Sequence, residues 1–347
     1  VNVPARPLRF HWSVPGTGAG DATGQAQDRR DVNPVADIDA QIELCRLADD
    51  GGIDQLLLPI GFARADPITL ATYFGMLTKR VGYMVTIRPG VISPTYLVQQ
   101  VNTVSVVTGG RITVNVVAGH SSEDLRSYGV FGPHDDRSGY GDEFWTICDR
   151  LWEQAGPVDF EGRFLRVEGA RVNTPFAGDG RTRPVRYFGG GSDLAAELTV
   201  RHGDALLRLG DTPENLVPRL APVLAAGKEV GLLFSLTARP TRAEAVDAAL
   251  ALIEPAADTT DAHWPRPYLF SGAVPVLGPL SLALVGTPDE ITDALFEYRE
   301  IGVTQFLFHG WPDLDSLPYF CQEILPRVRA RERGLGIHPG SGTGMGV

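Results

Sequence analysis

Short, almost unbroken apolar runs alternate along this chain with longer segments whose apolar positions recur every three to four residues. The runs are Leu8–Val14, Ile53–Pro59, Val81–Ile87, Arg111–Ala118, Val185–Phe188, Asp204–Leu209, Leu232–Ala238 and Thr304–Phe308. Helical patterns lie between them at Pro34–Gly51, Pro67–Thr78, Pro94–Thr108, Gly141–Glu153, from Asp193 onward, Thr212–Gly227, Arg242–Leu252 and Ile291–Ile301. Proline in the first turn of Pro67–Thr78 and Gly109-Gly110 after Thr108 punctuate helix starts and ends in the expected way. Strands that are continuously apolar, not alternating, are buried on both faces, which means a parallel sheet with helical crossovers. Eight such strands in 347 residues predict a (β/α)8 barrel, with a doubly wound open sheet as the second choice. Residues 1–333 then form one barrel domain. Val158–Val167 reads as a β-hairpin excursion, Glu254–Leu280, with five prolines, as an inserted lid, and the Gly-rich residues 334–347 as a flexible tail.

Composition narrows the function classes. A net charge of −11 argues against a nucleic-acid surface, which is normally basic, and fits a cytoplasmic enzyme. Cys45, Cys148 and Cys321 are odd in number and widely spaced, so neither a disulfide framework nor a zinc site is expected. No apolar run approaches the ~18 residues of a membrane span.

In a (β/α)8 barrel the chemistry gathers at the C-terminal ends of the strands. The outstanding segment there is Arg186-Tyr187-Phe188-Gly189-Gly190-Gly191-Ser192-Asp193. A strand, three glycines and a capping Ser-Asp at a helix start together make an anion cradle, because a backbone without Cβ approaches a ligand closely and the first helical N–H groups are unsatisfied. The plainer alternative is a tight strand-to-helix turn with an ordinary N-cap. Asn115 interrupts Val114-Asn115-Val116-Val117 with an amide that needs partners. His120 and His309 stand at strand ends as candidate proton-handling groups, and Trp12, Ser235 and Trp311 as candidate lining for a substrate. No His/Asp/Glu cluster has metal-ligand spacing, and neither G-x-S-x-G nor a P-loop occurs. With no evident nucleophile, the chemistry is expected to reside in a cofactor.

Several segments in order carry a resemblance: Ile87-Arg88-Pro89-Gly90-Val91-Ile92-Ser93-Pro94-Thr95, Gly109-Gly110-Arg111 leading to Asn115, Gly129-Val130-Phe131 with His134 and Arg137, Val158-Asp159-Phe160-Glu161-Gly162, the glycine cradle, and Ala283-Leu284-Val285-Gly286. In these the chain resembles the bacterial luciferase-like flavin-dependent monooxygenases, nearest the alkanesulfonate monooxygenase branch, over roughly residues 8–330. The resemblance implies a (β/α)8 barrel that uses reduced FMN and O2, a separate flavin reductase as partner, and a homodimer or homotetramer. By position it places Thr86 and Asn115 at the isoalloxazine and Gly190, Gly191 and Ser192 at the FMN phosphate, with Arg137 and the displaced Tyr140 nearby. The chain departs from the alkanesulfonate enzymes at Arg64, Leu209, Leu233 and Ser235, and Ala273–Leu280 lacks their arginine. A sulfonate head group needs fixed cations, so a more apolar or neutral substrate is expected. The expected reaction is monooxygenation of a small organic molecule, with His309, His120 or Arg64 steering a proton or the substrate. The alternatives are deazaflavin (F420)-dependent hydride transfer and a non-catalytic flavin-binding barrel.

Overall fold

A computed structural model describes residues 6–15, 37–61, 64–117, 122–131, 136–153, 156–178, 180–251, 253, 261–309 and 315–338. The strands are β1 (Arg9–Ser13), β2 (Gln55–Leu58), β3 (Gly82–Ile87), β4 (Ile112–Val117), β5 (Val158–Glu161), β6 (Arg166–Ala170), β7 (Arg186–Gly189), β8 (Ala205–Leu209), β9 (Glu229–Ala238), β10 (Leu269–Phe270), β11 (Ala283–Gly286) and β12 (Gln305–His309). The helices are α1 (Ile38–Gly51), α2 (Pro67–Leu77), α3 (Pro94–Thr108), α4 (Ser122–Ser127), α5 (Arg137–Glu153), α6 (Asp193–His202), α7 (Pro213–Ala225), α8 (Arg242–Ala251), α9 (Val274–Leu277), α10 (Pro288–Glu300), α11 (Ser316–Tyr319) and α12 (Leu325–Gly334).

Eight parallel strands close a ring in the order β1-β2-β3-β4-β7-β8-β9-β12, and β12 returns to β1 with Ser13 opposite His309. This is the (β/α)8 barrel the apolar runs predict, and the hairpin β5–β6 lies outside it as a separate two-stranded sheet. Local chemistry starts the crossover helices: Asp66 Oδ1 accepts from the Thr69 N–H ahead of α2, and Thr287 and Glu290 form a reciprocal capping box at α10. Gly109, at φ 68°, ends α3 in the left-handed conformation that favours glycine.

Alternation along each strand sorts the side chains onto two faces. Phe10, Trp12, Leu56, Val114, Phe188, Leu206, Phe234 and Phe306 point outward into the main core beneath the helices. Leu57, Met84, Tyr187, Leu207 and Leu307, with Leu233, fill the barrel interior. Below that layer lies a buried polar floor. Arg9 pairs with Glu229, Gln305 Nε2 donates to Glu229 Oε2 at 2.7 Å, and His11 Nε2 donates to Gln305 Oε1 at 2.8 Å. Above it, the next inward positions form the mouth.

Two regions differ from expectation. The described part of the expected lid, residues 261–280, is packed structure: β10 pairs antiparallel with β11, and α9 follows. Trp264 meets Phe270 at 4.9 Å between ring centroids, and Phe270 and Ala273 bury against Ala245 and Ala249 of α8. The apolar side chains between the prolines supply this satellite core. β11 itself is an additional parallel strand on the upper half of β9. Residues 254–260 of the expected lid lie outside the described residues. At the C-terminus α12 extends to Gly334 and Ile337 is buried, so the described start of the expected tail is packed; residues 339–347 lie outside the described residues.

Candidate active site at the barrel mouth

The mouth is assembled by register. Thr86 on β3 stands opposite Asn115 on β4, and Asn115 opposite Tyr187 on β7, two residues before Gly189. Both Thr86 and Asn115 are almost completely buried, yet Thr86 Oγ1 and Asn115 Oδ1 have no hydrogen-bond partner among the described residues. An unmet buried polar atom costs about 1–3 kcal/mol, so two together on one wall point to a ligand that meets them. Gly189 leaves the space: a Cβ there would lie 3.2 Å from Asn115 Oδ1 and 3.1 Å from Val117 Cγ1. Thr237, at the top of β9, supplies a third inward polar atom, Oγ1, without a partner among the described residues, and nothing in its Leu-Thr-Ala context marks it in the sequence.

The glycine turn follows directly. Gly190 has φ 156°, and Ser192 caps α6 by accepting from the Ala195 N–H at 3.3 Å. Gly191 and Ser192 are exposed, so the helix start is open to a ligand. Beside it, a cavity of about 490 Å³ runs along the outer side of β4 and β7, between Val116, Phe188 and Gly189 and the Tyr140 and Trp145 side chains of α5. Tyr140 packs at 6.3 Å centroid distance from Phe164 of the hairpin, and burial pushes its hydroxyl pKa up. It therefore stays protonated and able to donate.

On the opposite arc, Ser13, His309 and Ser235 stand side by side on β1, β12 and β9. Burial first, and the charge of Arg64 second, lower the pKa of His309 to about 4. The imidazole is therefore neutral at pH 7, with one nitrogen able to accept a proton. Arg64 lies beside Val14 and Pro59 at the end of β2. Ser235 is committed internally, donating from Oγ to the Leu280 carbonyl at 3.0 Å.

The other expected residues are distributed as follows. Trp12 is not substrate lining: it faces outward, 1% exposed, tilted against Phe308 and Phe320 in the core, because its position on β1 has the outward parity. His120 and Trp311, and the side chain of Arg137, lie outside the described residues. Cys45 and Cys148 are buried free thiols, held protonated by desolvation. No metal-binding cluster occurs among the described residues. Nor does any helix there have the length and apolarity to cross a membrane.

The orphaned amide and hydroxyl fit a flat heteroaromatic ring, and the open glycine turn fits a terminal phosphate, so the mouth suits a flavin-type cofactor. Solved structures bear out the fold. A riboflavin lyase, solved with modified FMN and riboflavin, aligns with TM-score 0.78 at 21% identity, covering 96% of this chain and 93% of that one. An EDTA monooxygenase from Chelativorans sp. BNC1 aligns with TM-score 0.72 at 20% identity, covering 96% and 95%. An F420-dependent secondary alcohol dehydrogenase, in complex with an F420-acetone adduct, aligns with TM-score 0.68 at 19% identity, covering 93% and 99%. Across residues 8–305, from the first barrel strand into the last, the sequence matches the luciferase-like monooxygenases, and the chain belongs to that family.

Proposed function

We propose that the chain is a reduced-FMN- and O2-dependent monooxygenase acting on a small organic substrate other than an alkanesulfonate. The observation that carries this reading is the pair of unmet polar atoms, Thr86 Oγ1 and Asn115 Oδ1, facing the mouth next to an open glycine turn. Reduced FMN would supply the two electrons and the site of O2 activation. Asn115 Oδ1 would accept an N–H from the ring, and Thr86 would hydrogen-bond its edge. The α6 start at Gly190–Ser192 would receive the phosphate. His309, neutral at working pH, would take or return a proton at its free ring nitrogen.

Substrate class follows from the walls. Leu209 and Ser235 bring no charge to the mouth, and Ser235 is already hydrogen-bonded. Arg64 is the one cation among the candidate residues with a described side chain, and its charge adds to burial in keeping His309 neutral. A dianionic head group finds no cluster of cations among them, so a neutral or apolar substrate is favoured.

A separate flavin reductase belongs to this reading. So does a cytoplasmic setting, where the free thiols would stay reduced. A homodimer or homotetramer is supported by α2 and α3, which contact one another and contain no charged residue. They carry six of the twelve large apolar side chains exposed among the described residues: Tyr73, Met76, Leu77, Tyr96, Val106 and Val107.

The reading is tested with 18O2, chemically reduced FMN and a panel of neutral and anionic organic substrates. Incorporation of one labelled oxygen into a neutral product supports it. Substrate oxidation without label, supported by F420 and not by FMN, would replace it with hydride transfer.

A further inference from the structure

Arg208 sits at the end of β8 with its side chain facing outward, beneath the turn that leads into α6. It is 9% exposed. Its Nη2 donates to the carbonyl of Gly191 at 3.1 Å, and that is its one hydrogen bond among the described residues. Among the described residues no carboxylate forms an ion pair with it. Asp193 and Asp211 act on it only at longer range, and Arg219 repels it. A guanidinium has five N–H donors, and a largely buried charge without a counterion is costly. Two other arginines, the buried Arg186 and the half-buried Arg111, have partners close by. Arg186 pairs with Asp149 at 2.8 Å, and Arg111 donates to the carbonyls of Gly75, Thr78, Val81 and Thr108. The small residue at Gly191 keeps the approach open: a Cβ there would meet nothing nearer than Arg208 Nη2, at 3.9 Å.

We infer that Arg208 is the counter-charge of the cofactor's phosphate, a phosphomonoester-recognising residue that sets the preference for FMN over riboflavin. This rests on the flavin reading above. One N–H of Arg208 fixes the Gly191 carbonyl, which holds the turn, and the remaining donors face a dianion placed at the α6 start. Charge-assisted bonds of this kind are the strong ones. Helix N–H groups alone offer partial charge, whereas Arg208 adds a full one.

The test is a fluorescence titration of the intact chain with oxidised FMN and with riboflavin, at two salt concentrations, for wild type, Arg208→Met and Arg208→Lys. Arg208→Met is expected to weaken FMN binding by about ten- to a hundredfold while leaving riboflavin unchanged and flattening the salt dependence. Arg208→Lys should recover part of the loss, since it keeps the charge. Equal weakening for both flavins in Arg208→Met would reduce Arg208 to a support for the turn, as would an FMN preference that survives the substitution. Riboflavin binding also reports whether the variant is folded. A wild type that binds riboflavin and FMN alike would remove the phosphate cradle and Arg208 together. A wild type that prefers FMN while Arg208→Met keeps that preference overturns Arg208 alone.

Discussion

At the level of single residues, the decisive facts are unmet hydrogen bonds and shifted protons. Asn115 Oδ1 is a buried acceptor with no donor among the described residues, so Asn115→Leu removes a penalty as well as a contact. The ligand-free variant is expected to melt at or above the wild-type temperature, while FMN and riboflavin both bind about tenfold more weakly. A large drop in melting temperature would mean that Asn115 is structural. His309 carries the second prediction. Its pKa is lowered to about 4, and the Arg64 charge is the second cause after burial. Arg64→Met should therefore raise the His309 pKa part of the way toward the ordinary imidazole value of about 6.5, read from the C2–H chemical shift by NMR. An unchanged value would separate Arg64 from the site. Asn115 was legible in the sequence because an amide inside an apolar strand is conspicuous. Arg208 was less so: its place at a strand end could be read, but its missing ion pair depends on which carboxylates the fold brings near. Trp12 was misread as lining because strand-end position does not reveal parity until the register is known.

At the level of elements, the strand–glycine turn–helix unit from β7 to α6 is the part where sequence and structure agree most closely. Its two central glycines make different demands. Gly190 has φ 156°, and a Cβ there would lie 3.1 Å from Ala195 Cβ, whereas Gly191 has no such backbone requirement. Gly190→Ala is expected to cost about 1–2 kcal/mol in denaturant unfolding, and Gly191→Ala to leave stability within about 0.5 kcal/mol. Similar losses for both would contradict the assigned backbone geometry. The crossover helices were readable from caps and period, as at Asp66-Pro67 and Thr287-Pro288-Asp289-Glu290. The insertion before β11 was not. Five prolines between 254 and 280 resemble an open loop, and the burial of Trp264, Phe270 and Ala273 that folds residues 261–280 depends on a surface supplied by α8.

At the level of the whole molecule, ring closure places a polar floor at one end and the candidate site at the other. The floor makes acid sensitivity predictable. Burial is the first cause that lowers His11, to about 3, so between about pH 3 and 6.5 the unfolded chain binds a proton that the folded chain refuses. Stability is then full above about pH 6.5 and declines as pH falls toward 3. Glu229, which is desolvated but held below its ordinary value by Arg9, Gln305 and Arg6, adds a loss in the same direction below the carboxylate range. His11→Gln should flatten the decline between pH 6.5 and 4 in urea unfolding; an unaltered slope would place the titrating group elsewhere. The uncharged α2–α3 face is the matching feature of the outer surface. Each copy carries a net charge of −11, and such a face lets two copies meet without bringing like charges together. Met76→Lys with Val106→Glu is expected to shift the mass found by sedimentation to that of a monomer. No change would move the interface off this face.

The central claim, that the mouth receives reduced FMN through Thr86, Asn115 and the α6 start, is tested most directly by anaerobic titration of the chain with reduced FMN and, separately, reduced F420. The account predicts saturable binding of reduced FMN, weakened by Asn115→Leu, and no comparable binding of F420. Absence of reduced-FMN binding, or saturable binding of F420 alone, would contradict it.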